Sequence, residues 1–314
     1  MTALSLVLLL AADFEGAIER DAAGRAVAID LASSWITDAS LGQVASLKDL
    51  RRIDLAHTRI TDQGLERLKV LQNVTDLNCY FAERLTDDGV AHLKGWTRLE
   101  RLNLRGTQVT SKVFEHLAKL AGLRSLDLAH TQIDDDGFEH IAGLPRLESL
   151  AIGGNRLVGS ALTLLKTAPA LRMLDVAGIQ RVDSGLWGLS LTEANLDRLA
   201  SLSTLETLDL SGANIADRGL DRPGSPEAER SELRDLSRLA KLERLRALDL
   251  SRTPINAKGL EAVARIPRLR ELRLVLARNI DDAAAPALAS MKLEALYLAG
   301  TGLTDAGLAK LHDA

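Results

Sequence analysis

Residues 123–144 read LRSLDLAHTQIDDDGFEHIAGL, and the same order of apolar and turn residues returns about every 24 positions along the chain. Leu126 and Leu128 alternate with Asp127, as expected for a short strand with one face buried. The following segment, 134–144, spaces its apolar residues for a short helix. One strand and one helix cannot bury an apolar face alone, so the sequence predicts stacked copies that form a solenoid.

The second apolar strand position marks each copy and defines the number of repeats. It recurs at Ile29, Ile53, Leu77, Leu102, Leu126, Leu150, Leu174, Leu208, Leu248, Leu272 and Leu296. The chain therefore holds about eleven repeats. The spacing is 24 or 25 residues except after Leu174 and Leu208, where it widens to 34 and 40 residues.

The two wider spacings indicate insertions, near 188–202 and 221–236. The second insertion contains Ser225, Pro226 and Glu227, which together predict a helix start. A repeat array grows in one dimension, so 314 residues are compatible with one continuous domain. We expect an N-terminal segment or cap over 1–24 and a single repeat domain over 25–314.

The first 31 residues contain two separate signals. Segments 15–20 and 25–31 predict two strands joined by a turn at 21–24, which is a plausible cap for the first repeat. Residues 4–12 form an apolar run that is too short to span a bilayer. This run fits either the core of a secretory signal or a segment that covers the first repeat, so exported and cytoplasmic locations are equally compatible with the sequence.

Composition narrows the class of protein. The net charge is -4, so the chain lacks the excess of basic residues that general binding to nucleic acid requires. Hydrophobic residues make up 46% of the chain and aromatic residues only 3%, so the core is aliphatic. The single cysteine, Cys79, replaces a strand leucine and excludes an internal disulfide framework. We expect a buried structural thiol there rather than a reactive one.

The spacing L-x-x-L-x-L followed by T-x-I-T-D-x-G-L resembles leucine-rich repeat proteins, in particular bacterial forms with threonine at the ladder position. The match extends over about residues 25–311. The ladder position holds Thr58, Thr107, Thr131, Thr253 and Thr301, with Ser34 and Asn155 as variants and Ala213 as a departure. The resemblance implies an α/β leucine-rich-repeat solenoid, shaped as a horseshoe or arc. Its parallel β-sheet is expected on the concave face and its short helices on the convex face, with protein recognition as the commonest use.

Side chains that flank the second and third apolar strand positions project from the open face of the sheet. The central column is mainly acidic, which solubility alone explains, but its neighbours change in character along the array. Charged and aromatic residues occupy the second to fourth repeats, whereas small residues such as Ser125, Ala129 and Ala151 follow. The predicted partner-binding residues on the concave face are Arg52, Asp54, Asp76, Asn78, Tyr80, Arg101, Asn103, Arg105, Asp127 and Asp175.

The chain contains histidines and carboxylates, but their spacing matches no known catalytic or metal-binding motif. His92, His116 and His140 share one helix position in three consecutive repeats. A solvated ladder explains them, and the alternative is a metal-binding or pH-sensitive patch. Three repeats also have one extra residue in the turn after the strand, at 80–84, 178–181 and 275–279, which indicates either local bulges or a functional rim. No catalytic residues, metal ligands or cofactor are predicted.

The sequence therefore favours a non-enzymatic scaffold that binds a protein or peptide partner through the concave face. The alternative is a structural or assembly module of a larger exported or cell-surface protein, and an enzyme is the least favoured class. No nucleic-acid partner and no membrane span are expected. The last layer of apolar residues is followed by only three residues, 312–314, which predicts weak self-association through the C-terminal end.

Overall fold

The computed structural model describes residues 15–178, 189, 191–213 and 236–312. The predicted apolar run 4–12 and the predicted helix start at 225–227 lie outside these ranges, as do most of the second insertion, 221–236, and most of the turn 178–181. The chain forms two compact units, Met1–Glu148 (unit 1) and Ser149–Ala314 (unit 2).

The described part of unit 1 contains six strands in chain order. They are β1 (Ile18–Arg20), β2 (Ala26–Asp30), β3 (Arg52–Asp54), β4 (Asp76–Asn78), β5 (Arg101–Asn103) and β6 (Ser125–Asp127). Strand β1 is antiparallel to β2, and β2 to β6 pair in parallel with their marker residues in register. The turn between β1 and β2 places Gly24 at φ +76°, a left-handed conformation that suits glycine. The predicted strand, turn and strand are confirmed, although residues 15–17 form a short 3-10 helix.

Unit 2 repeats the pattern. Its strands are β7 (Ser149–Ala151), β8 (Met173–Asp175), β9 (Thr207–Asp209), β10 (Ala247–Asp249), β11 (Glu271–Arg273) and β12 (Ala295–Tyr297). All six are parallel, and their marker leucines are in register. Every predicted repeat strand from Ile29 to Leu296 is therefore present, and the prediction of a leucine-rich-repeat solenoid with a parallel sheet is confirmed.

Short helices follow most strands and pack against the helix of the next repeat. The α-helices of the described residues are α1 (Asp38–Val44), α2 (Asp62–Leu68), α3 (Asp87–Ala91), α4 (Val113–Leu117), α5 (Glu193–Ala200), α6 (Ala257–Val263), α7 (Ala285–Ala289) and α8 (Asp305–His312). Other connections are 3-10 helices, at His92–Gly95, Phe138–Gly143, Ser160–Thr167, Leu236–Lys241 and Asp282–Ala284. Within the described ranges, no helix combines the length and apolar character needed to cross a membrane.

The core between sheet and helices consists of fully buried leucine, isoleucine and valine columns. Phe114 and Phe138 form an aromatic pair in this core, with ring centroids 4.5 Å apart. Ladder threonines close each turn after the strand: the Thr58 hydroxyl donates to Leu55 O at 2.7 Å. Thr107, Thr131, Thr253 and Thr301 make the same bond three residues back. The hydroxyl of the ladder residue thus adds a second hydrogen bond to a carbonyl oxygen that, at Leu55 and Leu104, also accepts the backbone N–H of the same threonine.

The T-D-x-G part of the motif links neighbouring repeats. Thr86 caps α3 by accepting a hydrogen bond from Asp88 N at 3.3 Å. Asp62, in the preceding repeat, accepts the Thr86 N–H at 2.8 Å and the Thr86 hydroxyl at 2.7 Å. The same two bonds join Asp38 to Thr61, Asp87 to Thr110 and Asp282 to Thr304. In these repeats the aspartate therefore forms hydrogen bonds with the threonine of the next repeat instead of capping its own helix.

The predicted short helix in segment 134–144 is a 3-10 helix that begins only at Phe138. Asp134 accepts a hydrogen bond from Asp136 N at 3.1 Å and another from the Ser111 hydroxyl at 2.6 Å. Gly137 then takes φ +77°, and a 3-10 helix runs from Phe138 to Gly143. Because the left-handed residue interrupts the right-handed path, only a short tight helix remains between Asp136 and the next strand.

Candidate functional site

The central column on the open face of the sheet has a structural role. Asp54 Oδ1 accepts the Ala56 N–H at 2.9 Å, an Asx turn that ends the strand. Asp30, Asn78, Asn103 and Asp127 of unit 1 accept equivalent bonds from the backbone N–H two residues ahead. In unit 2 the same turn is made by Asp175, Asp209 and Asp249. One side-chain oxygen at each position is thus committed to the scaffold, which leaves the second carboxylate oxygen of each aspartate and the amide NH2 of each asparagine for neighbours.

Three arginines of the predicted site are anchored by carboxylates on the same face. Arg52 pairs with Glu19, Arg101 pairs with Asp76, and Arg105 Nε lies 2.9 Å from Asp127 Oδ2. The bond from Asp76 raises the pKa of Arg101, so this guanidinium stays fully charged. Arg52 and Arg101 keep more than half of their side-chain surface exposed, at 55% and 59%. The pairs hold the cations in place while leaving them accessible.

These residues surround a groove of about 590 Å³ on the open face of unit 1. The groove is lined by the marker residues of β2 to β5 and by the central column, whose residues follow the markers along each strand. The charged residues of this lining are Glu19, Asp30, Arg52, Asp54, Asp76, Arg101 and Asp127. The structure therefore brings together most of the predicted unit 1 residues in one concavity. Asp175 lies on β8 in unit 2.

An aromatic cluster lies in the turns that follow β2, β3 and β4. The Tyr80 ring centroid is 5.0 Å from that of His57 and 4.7 Å from that of Phe81. Trp35 is 81% exposed, and the Arg59 guanidinium lies 4.7 Å from the centre of its ring. We call Trp35, His57, Tyr80 and Phe81 the aromatic rim. Of these four, only Tyr80 is among the predicted site residues.

The other three rim residues had a signal in the sequence that repeat analysis passes over. Trp35 occupies a turn position where no repeat requires an apolar side chain, in a chain with only three tryptophans. His57 and Phe81 have φ of 55° and 52°, and the same left-handed position is taken by Gly106 and by His130 in later repeats. The backbone conformation is therefore common to the repeats. The signal for these two residues is the aromatic ring itself, in a chain with only 3% aromatic residues.

In unit 2, the central column places Asp175, Asp209 and Asp249 on adjacent strands in register. Burial, together with the neighbouring carboxylates Asp175 and Asp249, raises the pKa of Asp209. Because the folded state then binds a proton more readily than the unfolded state, this group favours folding at low pH. The contribution is lost as pH rises through the raised pKa.

We therefore expect Asp209→Asn to stabilise unit 2 by up to about 1 kcal/mol at neutral pH, the scale of a like-charge pair on facing strands. Asparagine keeps the Asx turn, as Asn78 and Asn103 do at equivalent positions. Urea unfolding at several pH values measures the effect, which should shrink as pH falls below the raised pKa of Asp209. A destabilised variant at neutral pH would contradict this assignment.

The three helix-face histidines, His92, His116 and His140, are half-buried on the helical side. His140 Nε2 lies 3.9 Å from Glu139 Oε1. Across the described ranges, no three His, Cys, Asp or Glu side chains lie close enough together to hold a metal ion.

Cys79 is fully buried in the core and forms no disulfide. Burial raises the pKa of its thiol far above the usual range, so the nucleophilic thiolate is not populated at neutral pH. We expect no reaction of the native chain with iodoacetamide and full reaction after unfolding in urea. Mass spectrometry of the alkylated chain measures both, and rapid native labelling would show that the thiol is accessible.

Comparisons with known proteins agree with this architecture. A family model for the leucine-rich repeat matches five segments, at 46–69, 123–142, 201–221, 244–264 and 289–311. A comparison with curated protein sequences finds no match.

Two solved structures are similar over most of the chain. An internalin from Listeria monocytogenes has 18% sequence identity and a TM-score of 0.56, and the match covers 98% of this chain and 92% of that one. A chain of the mouse RP105/MD-1 complex has 17% identity and a TM-score of 0.55, covering 91% of this chain and 48% of that chain. At such identities the similarity concerns the fold alone. The five family matches, together with parallel strands that are in register within each unit, identify this chain as a leucine-rich repeat protein.

Proposed function

We propose that the chain is a non-enzymatic scaffold whose open face in unit 1, from Arg52 to Asp127, binds a protein or peptide partner. The observation that carries the proposal is a set of large side chains that stacking does not require. Tyr80 and Arg105 stand where neighbouring repeats have Ala56 and Ala129. Asp175 stays a predicted contact residue of unit 2.

The arrangement of these side chains favours a protein partner. Arginine and tyrosine are enriched at the centre of protein interfaces, where they combine apolar contact with directed hydrogen bonds. The ion pairs of Arg101 and Arg105 fix the orientation of both guanidinium groups on a sheet, which lowers the conformational entropy lost on binding. One of the two similar structures is itself a protein complex, the mouse RP105/MD-1 complex.

Photo-crosslinking tests the location of the interface. Ser125 lines the groove, whereas Lys94 is exposed on the helical side. A photoreactive amino acid at position 125 should crosslink a partner in host lysate, and the same amino acid at position 94 should not crosslink that partner. Crosslinking from position 94 alone would place the interface on the helices and contradict the proposal.

The predicted self-association also has a specific observation in its favour. Leu308 in α8 is 46% exposed, and Leu296, Leu298 and Leu303 of the last repeat are only half-buried. Exposed apolar side chains that lie together favour association. Sedimentation at increasing protein concentration tests this proposal. A Leu308→Lys variant should remain monomeric where the unchanged chain associates, and a chain that is monomeric at every concentration would contradict it.

A further inference from the structure

Two residues of the aromatic rim are exposed. The Trp35 ring is largely in solvent, with 81% of the residue exposed, and His57 is also exposed. The left-handed backbone angles of His57 and Phe81 belong to the scaffold, because His130 and Arg252 adopt the same angles at the equivalent position of their repeats. Large exposed rings that the scaffold does not require indicate a binding role.

Two carboxylates that form no ion pair within the described part of the chain precede this rim. Asp30 and Asp54 are the last residues of β2 and β3, and they face each other in register. Asp54 Oδ2 accepts the Asn78 amide at 2.9 Å. Among the described residues, no lysine, arginine or histidine forms an ion pair with either carboxylate, whereas Arg52 and Arg101 are paired with Glu19 and Asp76. The groove therefore keeps an excess of negative charge at the strand ends that lead into the rim.

We propose that the aromatic rim together with Asp30 and Asp54 forms a subsite for a lysine or arginine side chain of the protein partner. This inference rests on the proposed function and identifies the partner surface as basic. The carboxylates supply the charge, and the aromatic faces accept a guanidinium or ammonium through cation–π contact. Arg59 over the Trp35 ring already shows that the rim takes this kind of contact.

An anionic partner segment fits the same surface poorly. The groove walls in unit 1 carry five carboxylates, from Glu19, Asp30, Asp54, Asp76 and Asp127, against the two arginines Arg52 and Arg101. Each of these arginines already has a carboxylate partner. A cation of the partner restores charge balance without breaking an existing pair, whereas an anion must compete for paired arginines.

The test uses two labelled peptides that differ only in charge. One alternates arginine with leucine, and the other has glutamate in place of arginine. Fluorescence anisotropy with the full chain should show at least about tenfold tighter binding of the arginine peptide. Asp30→Asn with Asp54→Asn should remove this preference, because asparagine retains the Asx turns but carries no charge. Trp35→Ala should weaken binding of the arginine peptide about tenfold.

The matched control changes the same charge elsewhere. Asp209→Asn with Asp249→Asn also removes two carboxylates and keeps both Asx turns, but in unit 2. This variant should bind the arginine peptide like the unchanged chain. Equal binding of both peptides, no binding of either, or an unaltered preference in the Asp30 and Asp54 variant would overturn the inference.

The two proposals fail in different ways. If position 125 crosslinks a partner but the arginine peptide does not bind, the open face remains the interface and the basic character of the partner is wrong. If crosslinking occurs only from the helical side and the peptide preference is also absent, both proposals fall.

Discussion

Replacing Gly89 with alanine should destabilise unit 1 by about 2 to 3 kcal/mol, although alanine is favoured over glycine in a helix by about 1 kcal/mol. A Cβ atom at position 89 would lie 2.4 Å from Asp62 Oδ1 and 3.2 Å from Asp62 Cα. The carboxylate must therefore move and lose its two hydrogen bonds to Thr86. Each bond to a charged group contributes about 1.5 kcal/mol or more. Urea unfolding measures the loss.

A double-mutant cycle distinguishes this mechanism from a general effect of added volume. Asp62→Ala removes the atom that clashes, so Gly89→Ala should cost at least about 1 kcal/mol less in that background. Gly95 has open space around it, and Gly95→Ala should change stability by no more than about 0.5 kcal/mol. Fully additive effects of the Asp62 and Gly89 changes would show that the T-D-x-G linkage between repeats is assigned incorrectly.

Reversing the charge of Arg101 and Arg105 together to glutamate should weaken partner binding about 100-fold. Each substitution removes an interface arginine and places a second carboxylate beside Asp76 or Asp127, the present ion-pair partners. The repulsion acts on these neighbouring carboxylates and disturbs the face itself, whereas the weaker binding follows from the lost arginine contacts. Arg101→Gln with Arg105→Gln therefore accompanies this variant, because it removes the cations without adding like charges. Titration with the crosslinked partner gives both dissociation constants.

The control for charge lies on the helical side. Arg67→Glu with Lys94→Glu makes the same change in net charge at two exposed positions, and it should leave the affinity within about twofold. Thermal unfolding of all variants shows whether any loss arises from unfolding. If the Arg101 and Arg105 reversal variant folds normally and binds with unchanged affinity, these residues are not part of the interface.

The repeat pattern predicted the strands well because stacking imposes the same apolar position in every repeat. Cys79 illustrates this: it takes a leucine position and is fully buried, as expected from its place in the pattern. The helical side was harder to predict, since Gly137 adopts a left-handed conformation and shortens the helix that apolar spacing suggested. The spacing of apolar residues does not indicate such a change in backbone conformation.

Contacts between repeats could not be predicted from the pattern of one repeat. The sequence shows Thr, Asp and Gly in the T-D-x-G motif, but Asp62 bonds to Thr86 of the next repeat and requires the space beside Gly89. The pairing of Arg101 with Asp76 likewise depends on side-chain conformations across neighbouring strands. Trp35 was missed because it lies outside the repeated positions on which the search for a binding face relied.

Hydroxyl-radical footprinting of the partner complex tests most directly whether the open face of unit 1 is the binding surface. Tyr80 reports on this face, and Val70, which is 48% exposed after α2, reports on the helical side. Binding through the open face predicts that oxidation of Tyr80 falls strongly in the complex while oxidation of Val70 is unchanged. Protection of Val70 with unaltered oxidation of Tyr80 would contradict it.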